Sequence, residues 1–373
     1  MTRELVMLDV KPSTTLESQS GLNQKWPKVY GAIEAPQGAR TAAIVCHPTS
    51  NFLNHYLIGP LAVRGIACMG FNTRYGGNDV SLLMERAIED LGAGVKYLRE
   101  RFERVVLIGN SGGASLAALY QSQAERLTIR DTVDGRPLHL TPTDLPPADA
   151  LVLCAAHPGR ARTFGDWLDP SLLDEHDPLS VDPELDLYGG RYAPPFPSEF
   201  LARFRVAQAD RRHRLERWVW GRLRQLRADP DGPQDEAFIV YRTHADPRFL
   251  DTSLDANDRA PGSLWGVPHE VNTAANAMGR FTTLSAFLSQ WSTHSRADGP
   301  DRIAETNVPA ILFDYTADQS VFPSSNKAWL DAVATRGNGG PATVHEVKGG
   351  DHYLLGRPDL VAQVADRIAD HFA

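Results

Sequence analysis

The sequence contains little cysteine, few lysines and no long run of apolar residues. Its three cysteines, Cys46, Cys68 and Cys154, each lie in an apolar segment, and an odd number of buried thiols is typical of a reduced interior rather than a disulfide framework. No stretch approaches the roughly 20 apolar residues that a membrane-spanning helix needs. Residues 1–13 also lack the apolar core and cleavage site of a secretion signal. These absences predict a cytoplasmic protein.

Several classes of motif are missing as well. The net charge is −8, which gives no reason to expect a nucleic-acid partner. No Cys/His spacing suggests zinc, HEXXH is absent, and neither a GxGxxG after a strand nor a Walker motif occurs. We therefore expect no metal and no cofactor. The expected partner is a small molecule rather than a membrane, and a homo-oligomer is one alternative for the oligomeric state.

Short apolar runs alternate with amphipathic segments over much of the chain. Strands that are apolar along their whole length are typical of a parallel sheet covered by helices on both faces. The pattern therefore predicts an α/β protein. We expect one or two strands within residues 26–36, strands over 41–47, 65–72, 104–108, 148–156, 309–315 and 343–347, and helices over 82–102 and 358–371.

Residues 159–304 differ in character from the segments before and after them. They are rich in Trp, Arg, Asp and Pro and lack strand-like runs, and their apolar spacing predicts helices over 198–227 and near 277–292. Before them, residues 128–143 resemble a hairpin that turns at Asp134-Gly135. The sequence thus predicts a core of residues 1–158 and 305–373 with a mainly helical cap, residues 159–304, inserted into it.

The pentapeptide Gly109-Asn110-Ser111-Gly112-Gly113 lies between a predicted strand and a helix. A G-x-S-x-G turn in that place is typical of a nucleophile elbow, which exposes the serine hydroxyl. The turn is tight, so a Cβ at Gly109 or Gly113 would collide with its neighbours. A glycine-rich turn before a helix can instead bind phosphate. The catalytic interpretation needs a base and an acid elsewhere.

Candidates for both follow later strands, in the order serine, acid, histidine that this elbow requires. Asp318 follows the strand that ends near residue 315, and His352 follows the last strand after two glycines. Asp314 and Asp351 are rival acids. Asp314 lies within a strand, and Asp351 is adjacent to His352 and is better explained as a turn residue. We therefore predict a triad of Ser111, Asp318 and His352.

An oxyanion hole needs two N–H donors, of which the Gly112 amide is one. The second is expected in the loop that follows the first core strand. Pro48 has no N–H, which makes the Thr49 amide the predicted donor and His47 a residue that braces the loop. An ordinary polar turn remains the alternative here. His47 and His157 also follow strand ends, so both are competing bases.

Two features of the predicted cap allow two interpretations each. Residues 203–227 carry nine arginines, which form either a solvated helix face or a patch that attracts an anionic substrate such as an acyl-CoA or a carboxylated ester. The tryptophans form either the core of the cap or the wall of an apolar cleft. These tryptophans are Trp167, Trp218, Trp220, Trp265 and Trp291.

Together these residues resemble the α/β-hydrolase superfamily over residues 26–158 and 305–373. The resemblance implies a mostly parallel eight-stranded sheet, a triad of Ser111, Asp318 and His352, and an oxyanion hole formed by Gly112 and Thr49. The sequence departs from the commoner His-Gly of the early loop at Pro48. The motifs that carry the resemblance are GNSGG (109–113), CHPTS (46–50), FNTRYGGND (71–79), TADQSVFP (316–323) and GGDHYL (349–354).

The expected function is that of a carboxylesterase-like serine hydrolase that cleaves a small-molecule ester through an acyl-enzyme. A thioesterase or a C–C bond hydrolase would use the same triad. A homologue that binds a ligand without turnover is the alternative from another functional class. The sequence does not identify the natural substrate.

Overall fold

The structure, a computed structural model, describes residues 2–12, 25–337, 339–340 and 342–373. Strands and helices alternate along most of the described chain. The strands are β1 (Glu4–Asp9), β2 (Lys28–Glu34), β3 (Thr41–His47), β4 (Ala67–Asn72), β5 (Arg104–Asn110), β6 (Ala150–Cys154), β7 (Leu172–Asp174), β8 (Asp177–Val181), β9 (Ala237–Ile239), β10 (Phe281–Thr283), β11 (Ala310–Tyr315) and β12 (Thr343–Val347). The α-helices are α1 (Ile58–Ala62), α2 (Met84–Arg99), α3 (Gly113–Glu125), α4 (Arg160–Trp167), α5 (Ser198–Leu226), α6 (Pro268–Thr273), α7 (Leu284–Gln290), α8 (Gly299–Ile303), α9 (Pro323–Ala334) and α10 (Pro358–Phe372).

The central sheet has eight strands in the order β1-β2-β4-β3-β5-β6-β11-β12. The pairs β1/β2 and β2/β4 are antiparallel, and the remaining neighbours are parallel. This confirms the predicted mostly parallel eight-stranded α/β sheet. In such a sheet the carboxyl ends of the parallel strands meet at one edge, where ligand-binding loops gather.

The apolar strands are buried because helices cover both faces of the sheet. Ile44 and Leu107 face a hydrophobic cluster that includes residues of α2 and α3. Their chain neighbours Val45 and Ile108 face a second cluster, which includes residues of α1 and α10. Successive residues of a strand point to opposite faces, so both alternating sets are apolar and the strands appear as continuous hydrophobic runs.

Most predicted elements are present with shifted ends. The helix predicted over residues 82–102 spans Met84–Arg99, and the helix predicted over 198–227 spans Ser198–Leu226. The helix predicted near 277–292 was wrong in its first half, where β10 forms, and only Leu284–Gln290 is helical. The predicted hairpin is reduced to a turn with a single bridge between Asp131 and Pro137.

Residues 159–304, hereafter the insertion, run from the end of β6 to the start of β11. They contain α4 to α8 and, contrary to the prediction that they lack strands, two small antiparallel sheets, β7/β8 and β9/β10. Ten buried side chains of the insertion form a hydrophobic cluster of their own, among them Phe164, Leu215 and Trp291. The insertion contacts the core at α2, where the Ser289 hydroxyl donates to the Glu85 carboxylate at 2.7 Å.

The three cysteines are buried and unpaired, as predicted. Burial raises the pKa of the Cys154 thiol to about 12 and raises the pKa values of Cys46 and Cys68 further. These thiols are therefore protonated at neutral pH and are poor nucleophiles. No helix in the described part of the chain combines the length and the apolar character needed to cross a bilayer.

Candidate active site

Ser111 lies in the sharp turn between β5 and α3. Its φ of +58° is in the left-handed region, a strained conformation for a residue with a side chain. A Cβ added to Gly109 would lie 2.5 Å from the Ala114 Cα, and one added to Gly113 would lie 1.9 Å from the Cys46 carbonyl oxygen. As predicted, a Cβ at either glycine would collide with its neighbours, and Gly113 lets the turn pack directly against the end of β3.

A substitution at Gly113 should therefore destabilise the fold. Because the clash is with backbone rather than a flexible side chain, we expect Gly113→Ala to lower the free energy of unfolding by about 3 kcal/mol. Gly221→Ala is the matched control, since an added Cβ there has no neighbour within 4 Å. In the helix interior of α5 it should stabilise by about 0.5–1 kcal/mol. Urea unfolding of both variants checks this, and equal stabilities would contradict the packing described here.

The structure brings Ser111, His352 and Asp318 together. The Ser111 hydroxyl donates to His352 Nε2 at 2.8 Å, and His352 Nδ1 donates to Asp318 Oδ2 at 2.7 Å. All three side chains are buried. Ser111 follows β5, Asp318 follows β11 and His352 follows β12. The loops at the carboxyl ends of these three strands therefore supply the three hydrogen-bonded side chains.

Asp318 is held in place by the backbone of its own loop. Its second carboxylate oxygen, Oδ1, accepts hydrogen bonds from the amides of Ser320 at 2.7 Å and Val321 at 3.0 Å. Burial alone would raise the pKa of this carboxyl. The His352 ring and the two amides outweigh burial and hold the pKa below its ordinary value. Asp318 is therefore an ionised acceptor beside the ring.

The loop before His352 turns sharply and is tied to the acid's loop. Gly349 has a φ of +68°, which a glycine adopts at no steric cost. The Ala317 amide donates to the Gly350 carbonyl at 3.0 Å, and the Gly349 amide donates to the Thr316 hydroxyl at 2.9 Å. These bonds fix the acid and the base relative to each other.

The rival acids lie elsewhere. Asp351 Oδ1 accepts from the amides of Tyr353 and Leu355, which makes it a turn residue as predicted. Asp314 accepts from the Asn326 side chain at 2.7 Å. Neither carboxylate has a hydrogen bond to His352 among the contacts of the described residues, whereas Asp318 does.

A buried histidine beside the elbow, His55, was not predicted from the sequence. The Asn110 side-chain amide donates to the Cys154 carbonyl at 2.9 Å, and its oxygen lies 2.9 Å from His55 Nε2. The Leu57 amide donates to the other ring nitrogen of His55, at 3.3 Å. Burial lowers the pKa of His55 to about 4, so the neutral ring donates from Nε2 to Asn110. No local sequence signal links residue 55 to the elbow.

The structure argues against the predicted oxyanion role of Thr49. Its amide donates to His47 Nδ1 at 3.0 Å, and the Ser50 amide donates to the same nitrogen at 2.7 Å. The Thr49 N–H is therefore already satisfied by the ring. As predicted, His47 braces the loop, and it does so with one nitrogen only.

The rival base His157 is also buried close to the site. Its amide donates to the Ser111 carbonyl at 3.2 Å, and its ring lies 5.4 Å from the His352 ring, centre to centre. Burial, followed by the nearby His352 ring, lowers the pKa of His157 to about 3. The neutral His157 ring thus lines the cavity, whereas the His352 ring contacts the Ser111 hydroxyl.

A cavity of about 530 Å³ opens above Ser111, within the range of small-molecule sites. Its wall combines residues of the core with residues of the insertion. The core side includes His47, Ser111, Gly112 and Tyr353, and the insertion side includes Arg160, Leu264, Trp265 and Met278. Of the predicted tryptophans, Trp265 lines this cavity, whereas Trp167 and Trp291 are buried in hydrophobic clusters.

Arg160 connects the two sides of the cavity. Its guanidinium donates to the Asp79 carboxylate at 2.9 Å, to the Thr49 hydroxyl at 2.7 Å and to the Gln290 side chain. Its Cζ also lies 4.9 Å from the centre of the Trp291 ring. Sequence reasoning missed this residue because its partners come from three distant segments.

Four of the nine arginines over residues 203–227 are held in ion pairs. Arg211 is fully buried and binds the Glu175 carboxylate, and Arg205, Arg222 and Arg227 pair with Asp246, Glu236 and Asp134. The pairs with Glu175, Asp246 and Glu236 lie within the insertion, whereas the pair between Arg227 and Asp134 joins the insertion to the core. Among the residues that the structure describes, no group of three or more His, Cys, Asp or Glu is placed to hold a metal ion.

No protein-family model matches the sequence, and no protein among those with curated functions matches it either. Solved structures do match. The chain is similar to the α/β hydrolase GrgF from Penicillium sp. sh18, at 12% identity and a TM-score of 0.51, over 99% of this chain and 97% of the other. It also matches the esterase domain of a Rhodothermus marinus protein, at 12% identity and a TM-score of 0.47, over 99% and 97% of the two chains. The likeness to GrgF and the strand order of the central sheet confirm the predicted α/β-hydrolase fold.

Proposed function

We propose that this chain is a serine hydrolase that cleaves a carboxylic ester through an acyl-enzyme. One observation carries the proposal: Ser111, on a strained elbow in the wall of a cavity, donates to His352, which in turn donates to Asp318. A nucleophile paired with a base that a third group orients is the arrangement that activates a serine. Structures that share the fold include enzymes described as hydrolases.

In the first half of the reaction, Ser111 Oγ attacks the ester carbonyl carbon while His352 Nε2 takes the hydroxyl proton. The carbonyl oxygen becomes an oxyanion beside the Gly112 amide, which lies at the N-terminus of α3. When the tetrahedral intermediate breaks down, His352 gives its proton to the leaving alcohol oxygen. The serine ester remains.

In the second half, water replaces the alcohol in the cavity. His352 takes one proton of the water as the oxygen attacks the acyl carbon, and returns it to Ser111 Oγ as the acid leaves. Asp318 keeps the proton of the ring on Nδ1 and stabilises the imidazolium that forms in each half. The sum is ester plus water giving acid plus alcohol.

We propose that residues 1–158 and 305–373 form the catalytic core and that the insertion acts as a cap that shapes the substrate cavity. The hydrophobic cluster within the insertion supports this, as do the insertion side chains in the cavity wall, such as Trp265 and Met278. The cavity volume of about 530 Å³ favours a small-molecule ester over a polymer.

A partition experiment tests the acyl-enzyme. Phenyl butyrate and p-nitrophenyl butyrate would give the same butyryl-enzyme, so the ratio of methyl butyrate to butyrate formed in dilute methanol should be the same for both. Ratios that differ between the two esters would contradict a common intermediate. Comparing kcat/KM for an oxygen ester and its thioester would then decide between an esterase and a thioesterase, which the same triad permits.

A further inference from the structure

The site has an oxyanion donor at Gly112 but lacks the backbone partner expected after β3. Of the three residues that follow His47, Pro48 has no N–H, and the amides of Thr49 and Ser50 both donate to His47 Nδ1. A single donor would leave part of the developing charge on the substrate oxygen unsatisfied. Because these three residues offer no free amide, a side chain of the cavity wall is the next candidate for the second donor.

The hydrogen bonds of His47 determine where its ring proton is. A nitrogen that accepts from two amides carries no proton, so in the neutral ring the proton is on Nε2. The ring is neutral because burial, followed by the positive charge of Arg160, lowers the pKa of His47 well below its ordinary value. His47 therefore presents one fixed N–H.

The Nε2–H of His47 lies beside Gly112, whose amide is the first proposed donor of the oxyanion hole. A Cβ built on Gly112 would lie 3.1 Å from His47 Nε2, but 3.7 and 3.8 Å from the two ring carbons next to that nitrogen. The ring thus directs its Nε2 edge toward Gly112. His47, Gly112 and Ser111 line the same cavity.

We propose that the Nε2–H of His47 is the second donor of the oxyanion hole, acting with the Gly112 amide. This inference rests on the proposed hydrolase function and makes His47 a catalytic residue, because the group touches the reacting oxygen. As Ser111 attacks, the former carbonyl oxygen accepts from both N–H groups, and His47 remains neutral throughout. Thr49, which the sequence predicts as the donor, instead helps to orient the His47 ring, together with Ser50.

Two substitutions separate the donor role from the loop role. His47→Asn places a side-chain oxygen near the position of Nδ1, so it can still accept from Thr49 and Ser50, but it removes the donor at Nε2. His47→Gln places an amide N–H near the position of Nε2 and loses the Nδ1 acceptor. We expect His47→Asn to lower kcat for p-nitrophenyl butyrate about 10²–10³-fold with little change in KM. His47→Gln should retain at least tenfold more activity than His47→Asn.

The opposite order would overturn the proposal. If His47→Asn stays within threefold of the wild type while His47→Gln is slow, His47 only braces the loop. Tyr353 is the rival donor, because its hydroxyl faces the cavity near Ser111 and Ser50. If Tyr353→Phe loses 10²-fold and His47→Asn does not, the second donor is Tyr353 and the proposal fails.

A measurement on the unmodified protein covers the case in which the variants do not fold. A trifluoromethyl ketone adds to the serine and leaves an oxyanion in the hole. In protein labelled with ¹⁵N-histidine, we expect the His47 Nε2 proton resonance to move downfield when the ketone binds. An unchanged resonance under full inhibition would overturn the inference and leave the hydrolase proposal intact. No inhibition and no ester hydrolysis would instead reject the proposed function.

Discussion

Replacing Ser111 with alanine is expected to lower kcat for ester hydrolysis about 10⁶-fold, the largest effect of any single substitution in this protein. In the proposed mechanism the Ser111 hydroxyl forms the covalent intermediate, and this hydroxyl contacts the base His352 at 2.8 Å. Cys46 cannot replace it, because it is a buried, protonated thiol. KM should change little because alanine leaves the cavity wall intact. Steady-state hydrolysis of p-nitrophenyl butyrate by Ser111→Ala measures both constants.

A matched serine on the following helix provides the control. The Ser122 hydroxyl is buried in α3 and donates to the Leu119 carbonyl at 2.9 Å. Ser122→Ala should lower the free energy of unfolding by about 1 kcal/mol and leave kcat within twofold of the wild type. If Ser111→Ala keeps more than about 1% of the activity, a nucleophile other than Ser111 carries the reaction.

The second largest effect is expected for Asp318→Asn, which should lower kcat about 10⁴-fold. An asparagine can direct its N–H at His352 Nδ1, which would move the ring proton to Nε2. The ring could then no longer accept the proton of Ser111. Replacement of the ionised carboxylate also removes the charge that stabilises the imidazolium. The measurement is kcat at neutral pH for the same ester.

Asp351→Asn is the control for this prediction. Asp351 is adjacent to His352 in the chain, but its carboxylate caps the amides of Tyr353 and Leu355. Asp351→Asn should keep most of the activity, since asparagine can accept the same two hydrogen bonds. A larger loss for Asp351→Asn or Asp314→Asn than for Asp318→Asn would show that the acid has been misassigned.

The elements that could be predicted from the sequence are those whose signal is local. The elbow, the strands over residues 41–47 and 343–347 and the long helix α5 follow from turn chemistry and apolar periodicity. The relative placement of Ser111, Asp318 and His352 was also predictable, because the ends of parallel strands meet at one edge of a sheet.

Other features could not be predicted because their cause lies in distant partners. Strand β1 was missed because its apolar run, residues 5–8, is short and lies in a segment of mixed polarity. It is at the edge of the sheet, and Leu5 and Met7 are largely exposed. The Arg160 guanidinium is held by hydrogen bonds to three segments that are distant in the sequence. The Thr49 amide appeared free in the sequence, and only the fold shows the His47 ring that binds it.

We propose that Ser111, His352 and Asp318 act as one activated nucleophile, which covalent labelling of the serine can detect. We expect a fluorophosphonate to add once to the folded wild-type protein and peptide mapping to locate the adduct on Ser111. Asp318→Asn should react far more slowly, and Ser111→Ala not at all. An unlabelled wild-type protein, or an adduct on another residue, would contradict the account.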